Sequence, residues 1–241
     1  VQAWPLVKGK VEVDEVTLSQ VAFNSANLIE GMKIKGVLGR FFLQSHGVDL
    51  SNELAVINQT ELSDTHVQML MNDTTTTPKD TTASAPVNWK VDLHKLKLKN
   101  VSFSMQLPAD SMRMAAHIGE AFINDAQADL KNQFYELKQF LLSGSSANYD
   151  TGAAKPGEGF DASHIAVRDI RIGLDSLLYK GRDMNAVIRE LSMNERSGLS
   201  ITSLTGRAVS NDSIIRIPGI KLQTPHSEID LSAQTYWELV N

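Results

Sequence analysis

The side chains able to do chemistry in this chain are few and scattered. Its six histidines, His46, His66, His94, His117, His164 and His226, stand apart. No two are spaced i, i+4 and none falls in an H-E-x-x-H arrangement, so no zinc-hydrolase pair is written here. Isolated surface histidines are the plain reading. Ser145-Ser146 sits in a Gly/Ser stretch that is not the G-x-S-x-G turn of a serine nucleophile. Gly152, Gly157 and Gly159 lack the Lys-Ser/Thr that a phosphate loop places after its glycines. Asp49 and Asp129 recur at equivalent positions of a repeat, where acids mark turns or strand ends. No carboxylates converge in a legible acid–base pair, which weighs against a hydrolytic or carbohydrate-active β domain. The chain has no cysteine, which removes disulfides, thiolate metal sites and cysteine nucleophiles together. The expectation is a protein that is not an enzyme, with no catalytic residue, no metal and no cofactor.

Stepping from side chains to composition, 241 residues carry 23 Lys+Arg against 28 Asp+Glu, a net charge of -5. That balance does not suit a nucleic-acid partner. Hydrophobic residues make up 42%, the ordinary level for a soluble chain. No run approaches the roughly 18 apolar residues that a spanning helix needs. The chain opens at Val1 without a basic-apolar leader and reads as a segment of something longer.

The elements are organised by one phrase that occurs three times: Val16-Thr-Leu18-Ser-Gln-Val21-Ala-Phe23, Leu96-Lys-Leu98-Lys-Asn-Val101-Ser-Phe103 and Ile165-Ala-Val167-Arg-Asp-Ile170-Arg-Ile172. Each reads apolar-x-apolar-x-x-apolar-x-apolar. Alternation puts two apolar residues of each half on one face of a strand. The extra residue breaks the period, and a bulge or bend there keeps both halves on the same side. The first two copies align without gaps at an offset of 80, with Leu38 on Ile118, Gly39 on Gly119, Phe42 on Phe122 and Asp49-Leu50 on Asp129-Leu130. The third copy follows at 69, with Val187 on Ile118 and Leu191 on Phe122. Such repeats argue for stacked supersecondary units.

Three units are expected, at about 13–72, 93–142 and 163–232, in one elongated domain spanning 1–241. Each opens with a strand pair (13–24, 93–106, 163–174). An apolar segment follows (Met32–Leu43, Met112–Ile123, Met184–Met193), read as strand because the first copy holds two glycines and β-branched or aromatic residues. A closing strand group comes last (Val48–Val56, Ala128–Leu142, Leu199–Val209). Ser213–Ile217, Gly219–Leu222 and Glu228–Leu231 read as short strands punctuated by Pro218-Gly219 and Thr224-Pro225. Asp125 is placed to cap a short helix within Glu120–Leu142. Residues 73–88 and 143–160, rich in Thr, Ser, Gly and Ala, are expected to be mobile loops. Asp73-Thr-Thr and Asp80-Thr-Thr match a short O-glycosylation acceptor pattern. The fold class is all-β: an elongated repetitive antiparallel sheet, trough-like or sandwich-like, with at most one or two short helices.

The phrase, followed by Leu178-Tyr-Lys-Gly, the run from Val187 to Leu199 and Ile220-Lys-Leu-Gln-Thr-Pro-His-Ser-Glu-Ile-Asp-Leu231, resembles the AsmA/TamB-like envelope proteins. Within them it is most similar to the TamB-type proteins of the Bacteroides lineage. The resemblance covers most of the chain and is strongest over 160–232. It implies a periplasmic protein of the cell envelope, anchored to the inner membrane through a segment outside this chain, with a long curved sheet and an apolar inner face. It also implies phospholipid or membrane-protein strands as cargo and an outer-membrane barrel as partner.

A binding face of this kind needs no polar motif, because exposing acyl chains to water costs about 0.8 kcal/mol per CH₂ and any continuous apolar strip removes that cost. The candidate groove is Leu18, Phe23, Leu38, Phe42, Leu98, Phe103, Ile118, Phe122, Val167, Ile172, Val187 and Leu191. The rival reading is a β spacer or interaction module whose apolar faces close on each other as an ordinary core.

Overall fold

The computed structural model describes residues 10–11, 14–25, 32–71, 88–152 and 154–239. The all-β expectation is met. The strands are β1 (Lys10–Val11), β2 (Glu15–Asn24), β3 (Met32–Asp49), β4 (Leu54–Met71), β5 (Lys90–Leu107), β6 (Met112–Asp129), β7 (Phe134–Asp150), β8 (His164–Lys180), β9 (Asp183–Glu195), β10 (Ser200–Ile201), β11 (Ser203–Ser210), β12 (Ile214–Gln223) and β13 (Glu228–Tyr236). A single 3₁₀ turn, Trp237–Leu239, is the one helical element among the described residues. All strands join one 13-stranded sheet in the order β1-β3-β4-β5-β6-β7-β8-β9-β11-β12-β13, with β2 continuing along β3 beside β1 and β10 on β9. The order is linear, so the sheet is open, and its two edges do not meet. Eleven strands at about 4.8 Å and up to 18 residues long at about 3.3 Å make a trough-like layer roughly 50 by 60 Å.

The apolar segments beginning at Met32, Met112 and Met184 are strands, as the shared-repeat argument requires. Each opening pair is instead one continuous strand, because the extra residue of the phrase is absorbed without ending it. That residue has a left-handed backbone in all three copies: Gln20 (φ 54), Asn100 (φ 52) and Asp169 (φ 55). A left-handed residue turns the following side chain through half a period, so Leu98 and Val101 share a face although three residues apart.

The short helix expected near Asp125 does not form. Asp125 lies inside β6 with φ 49 and bonds across strands to His94 and Lys138, and ladder pairing outweighs local helix propensity. The loop expected from 143 begins later, since β7 runs to Asp150 paired with β8. The first two closing groups span turns, since β3 runs on to Asp49 before β4 starts at Leu54 and β6 runs on to Asp129 before β7 starts at Phe134, whereas Leu199–Val209 coincides with β10 and β11. Ile214–Gln223 is one strand with a register shift at Pro218-Gly219, where the pairing with β13 skips from Ile217 to Ile220. The Thr-rich stretch 73–87 and its acceptor patterns fall outside the described residues.

Two turns show why Asp49 and Asp129 recur. Asp49 Oδ1 accepts from the Ser51 and Asn52 amides, and its Oδ2 accepts from Asn52 Nδ2 at 2.8 Å. Asp129 accepts from Asn132 in the same two ways, at 3.0 and 2.8 Å. Each turn ends on a left-handed residue, Glu53 (φ 52) or Gln133 (φ 48). These acids are turn formers.

The pairing also fixes strand direction. β4 and β5 are parallel, whereas β7 and β8 are antiparallel. A tight hairpin joins only antiparallel strands, so β4 and β5 are not a hairpin. The third copy consequently runs opposite to the first two.

Candidate functional site

Cross-strand register assembles the apolar residues into rows. One row crosses eight strands as Leu18, Phe41, Leu62, Leu98, Ala121, Leu142, Ile172 and Leu191. Its neighbour crosses eleven: Val16, Leu43, Thr60, Leu96, Ile123, Phe140, Leu174, Ile188, Gly206, Ile220 and Leu231. Beyond the left-handed residues lies a third: Phe23, Gly36, Val67, Phe103, Ala116, Ala147 and Val167, ending at Glu195. Below, Ala55, Val91, Ala128, Tyr135, Tyr179 and Met184 form another, in which the two tyrosine rings lie 6.1 Å apart. The opposite face reads Ser19, Arg40, Ser63, Lys99, Glu120 and Ser143 in one row.

No second layer covers the apolar face among the described residues. Among the described residues only Ala55 and Ala121 are buried apolar residues, and no large side chain is fully buried. Leu18 is 44% exposed, Phe23 and Phe103 each 36%. The chain exposes 15808 Å², against about 10,700 Å² for a compact monomer of its mass. Soluble monomers rarely leave apolar patches beyond a few hundred Å² uncovered.

Nine of the twelve expected groove residues lie on this face: Leu18, Phe23, Leu38, Leu98, Phe103, Ile118, Val167, Ile172 and Leu191. Leu38 pairs with Val21, and Ile118 with Val101. Phe42, Phe122 and Val187 do not. Phe42 pairs with Thr17 and Glu61 and lies under the Arg40 guanidinium, 6.0 Å from the ring centre. Phe122 pairs with Lys97 and Leu141, and Val187 with Ser176 and Arg207. The cause is the parity change itself. Leu38 and Phe42 share a face only if alternation is unbroken, but Gly39-Arg40 is again the x-x of the phrase. Phe41 therefore takes the apolar side, as Ala121 does after Gly119-Glu120 and Leu191 does after Arg189-Glu190. The signal for Phe41 and Ala121 was present in sequence as Leu38-x-x-Phe41 and Ile118-x-x-Ala121.

The parity changes line up across the sheet as a crease. In register order it passes through Gln20, Gly39, Asp64, Asn100, Gly119, Gly144 and, beside it on β8, Asp169. Gln20, Asp64, Asn100, Gly144 and Asp169 are left-handed. Gly39 and Gly119 face the carbonyl of the next strand's left-handed residue: a Cβ there would lie 2.5 Å from the Asp64 oxygen or 2.6 Å from that of Gly144. Asn100 Nδ2 donates to Asp64 Oδ1 at 2.8 Å. The buried hydroxyls of Thr65 and Ser145 donate back to the Ser63 and Ser143 carbonyls at 3.0 and 3.1 Å.

No family model matches this chain, and no curated protein matches it. Among the described residues no three histidines or carboxylates come together as a metal cage. The histidines are bound into strand ladders and turns. His94 and Lys138 donate to Asp125, and those bonds hold its carboxyl below the usual carboxylate range. His164 meets Asp161 at 2.9 Å. The Gly157 and Ser163 amides, then His164, lower the Asp161 pKa. Glu195 closes the turn between β9 and β10 by accepting from Ser197 and the Ala166 amide, and is lowered chiefly by Ser197.

Proposed function

We propose that this chain is a non-enzymatic segment of a cell-envelope protein whose apolar sheet face shelters phospholipid, or strands of membrane proteins, on their way between two membranes. The observation that carries this reading is the row structure: up to eleven strands present one aligned apolar face with nothing over it among the described residues. A face of this kind lowers the cost of moving acyl chains through water without selecting a headgroup, which fits a site with no polar motif. The resemblance of the repeat phrase to AsmA/TamB-like proteins supports the same reading, with a periplasmic location, inner-membrane anchoring and an outer-membrane barrel partner following from it. A spacer with a closed core needs a covering layer, and the described residues supply none. The experiment is native mass spectrometry of the purified chain after exposure to phospholipid vesicles. Adducts of whole phospholipids are expected; protein free of lipid after exposure would overturn the proposal.

A further inference from the structure

The methionines are not spread evenly over the apolar face. Six of the eight, Met32, Met69, Met71, Met105, Met112 and Met114, lie at one end of the sheet. They meet in register: Ile34, Met69, Met105 and Met114 form one row, Met32 pairs with Met71, and Leu107 with Met112. The rows nearer the middle use Leu, Ile, Val and Phe instead. Unbranched, polarizable thioethers adapt to chains of varied shape.

The alternate positions of the same strand ends are mostly polar, with Leu70 beside Lys33 as an exception. Lys33 and Lys35 border a cleft of about 390 Å³, with Asn24, Gln68 and Ser104 beside them and Met69 reaching it from the apolar row. Asn24, Lys35, Gln68 and Ser104 are successive partners across β2, β3, β4 and β5. The volume is within the range of about 300–1,000 Å³ usual for small-ligand sites. Lys33 and Lys35 are exposed and form no ion pair with a described residue. Two ammonium groups without an ion pair to a described residue, with amide and hydroxyl donors around them, suit a group bearing several anionic oxygens. Met32-Lys33 opens β3 and Leu70-Met71 closes β4, and Met69 lines the cleft together with the lysines, so cleft and methionine row meet at this end of the sheet.

We infer that this end of the sheet holds a phospholipid by its headgroup. Lys33 and Lys35 take the phosphate in the cleft, and the acyl chains lie along the methionine rows. A free anion would use the lysines but leave the methionines without a role. The inference rests on the lipid-sheltering reading of the apolar face, and its test separates the two.

The full chain is offered vesicle-borne phosphatidylglycerol or diacylglycerol with the same acyl chains, and uptake is read by native mass spectrometry. Wild type is expected to take up both, and phosphatidylglycerol more tightly. Lys33→Glu with Lys35→Glu, at exposed positions, is expected to weaken phosphatidylglycerol uptake at least about tenfold and to leave diacylglycerol unchanged. Met69→Asn with Met105→Asn is expected to lower both. Phosphatidylglycerol uptake unchanged in the lysine variant overturns the headgroup site and leaves the apolar-face reading standing. Wild type taking up neither probe overturns both. Displacement of lipid by inorganic phosphate at equal concentration would make the cleft a free-anion site and overturn the lipid assignment. So would a dimer that forms without lipid and is lost in the methionine variant, since the occupant would then be a second copy.

Discussion

Five of the seven strands that meet the crease change parity through a single left-handed residue, and the other two place a glycine there. In β2, β5 and β8 that residue is Gln20, Asn100 and Asp169, and in β4 and β7 it is Asp64 and Gly144. Asn, Asp and Gly tolerate the left-handed backbone best, and β-branched residues worst. Asn100→Gly is therefore expected to be nearly neutral in urea unfolding, whereas Asn100→Val should lower stability by about 1–2 kcal/mol. Gly39→Ala and Gly119→Ala should be worse, roughly 1–3 kcal/mol or more, because the added carbon meets backbone that cannot swing away. A neutral result for both alanines would remove the crease as a steric requirement. The turn and ladder acids set a pH dependence. Asp125, Asp129, Asp161 and Glu195 all have folded pKa values below their ordinary ones of 3.8 and 4.5. At a pH near those ordinary values the unfolded chain binds more protons, so stability rises with pH there. The thermal midpoint should be flat above about pH 5–6 and fall as acid protonates these groups. Asp161→Asn should flatten part of that fall.

At the scale of the strand, stability comes from ladder hydrogen bonds and from cross-strand neighbours in a row, since no opposing layer is present among the described residues. A core phenylalanine cut to a small residue costs about 3–5 kcal/mol. Phe103 remains 36% exposed between Val67 and Ala116, so Phe103→Ser should cost only about 1–2 kcal/mol. The same change should reduce uptake of acyl chains, and comparison of urea midpoint with lipid adducts checks both halves. A loss as large as that of a core residue would mean that something covers the face. The repeat also explains itself at this scale. Ser63-Asp64-Thr65 and Ser143-Gly144-Ser145 sit 80 residues apart and make the same hydroxyl-to-carbonyl bond, so the offset preserves a crease as well as an apolar pattern.

For the whole molecule, a single open layer predicts an extended particle. A compact chain of 241 residues has a radius of gyration of about 18 Å; small-angle scattering should give a clearly larger value. The apolar rows should bind an environment-sensitive hydrophobic dye in the native state, without denaturant. Amide exchange should be fastest in the edge strands β2 and β13, each paired on one side only, and slowest in β5–β7. A compact radius together with no dye binding would contradict the open face directly.

The apolar-polar alternation with its x-x interruption is a local property, written by which side chains avoid water and which residues accept a left-handed backbone. From it followed the strands, the bend within each phrase and the turn role of Asp49 and Asp129. Direction and register are not local, because they arise when distant segments choose partners. The phrase reads the same forwards and backwards in polarity, so β8 runs opposite to β5 with its apolar residues still on the shared face. Ile172 thereby falls in the row of Leu98, and Val167 in that of Phe103, the reverse of what parallel copies would give. Only register separated Phe41 from Phe42, and only the tertiary arrangement left the assembled face without a second layer among the described residues. Burial is a relation between elements, and an apolar stripe has the same sequence whether protein or another ligand covers it.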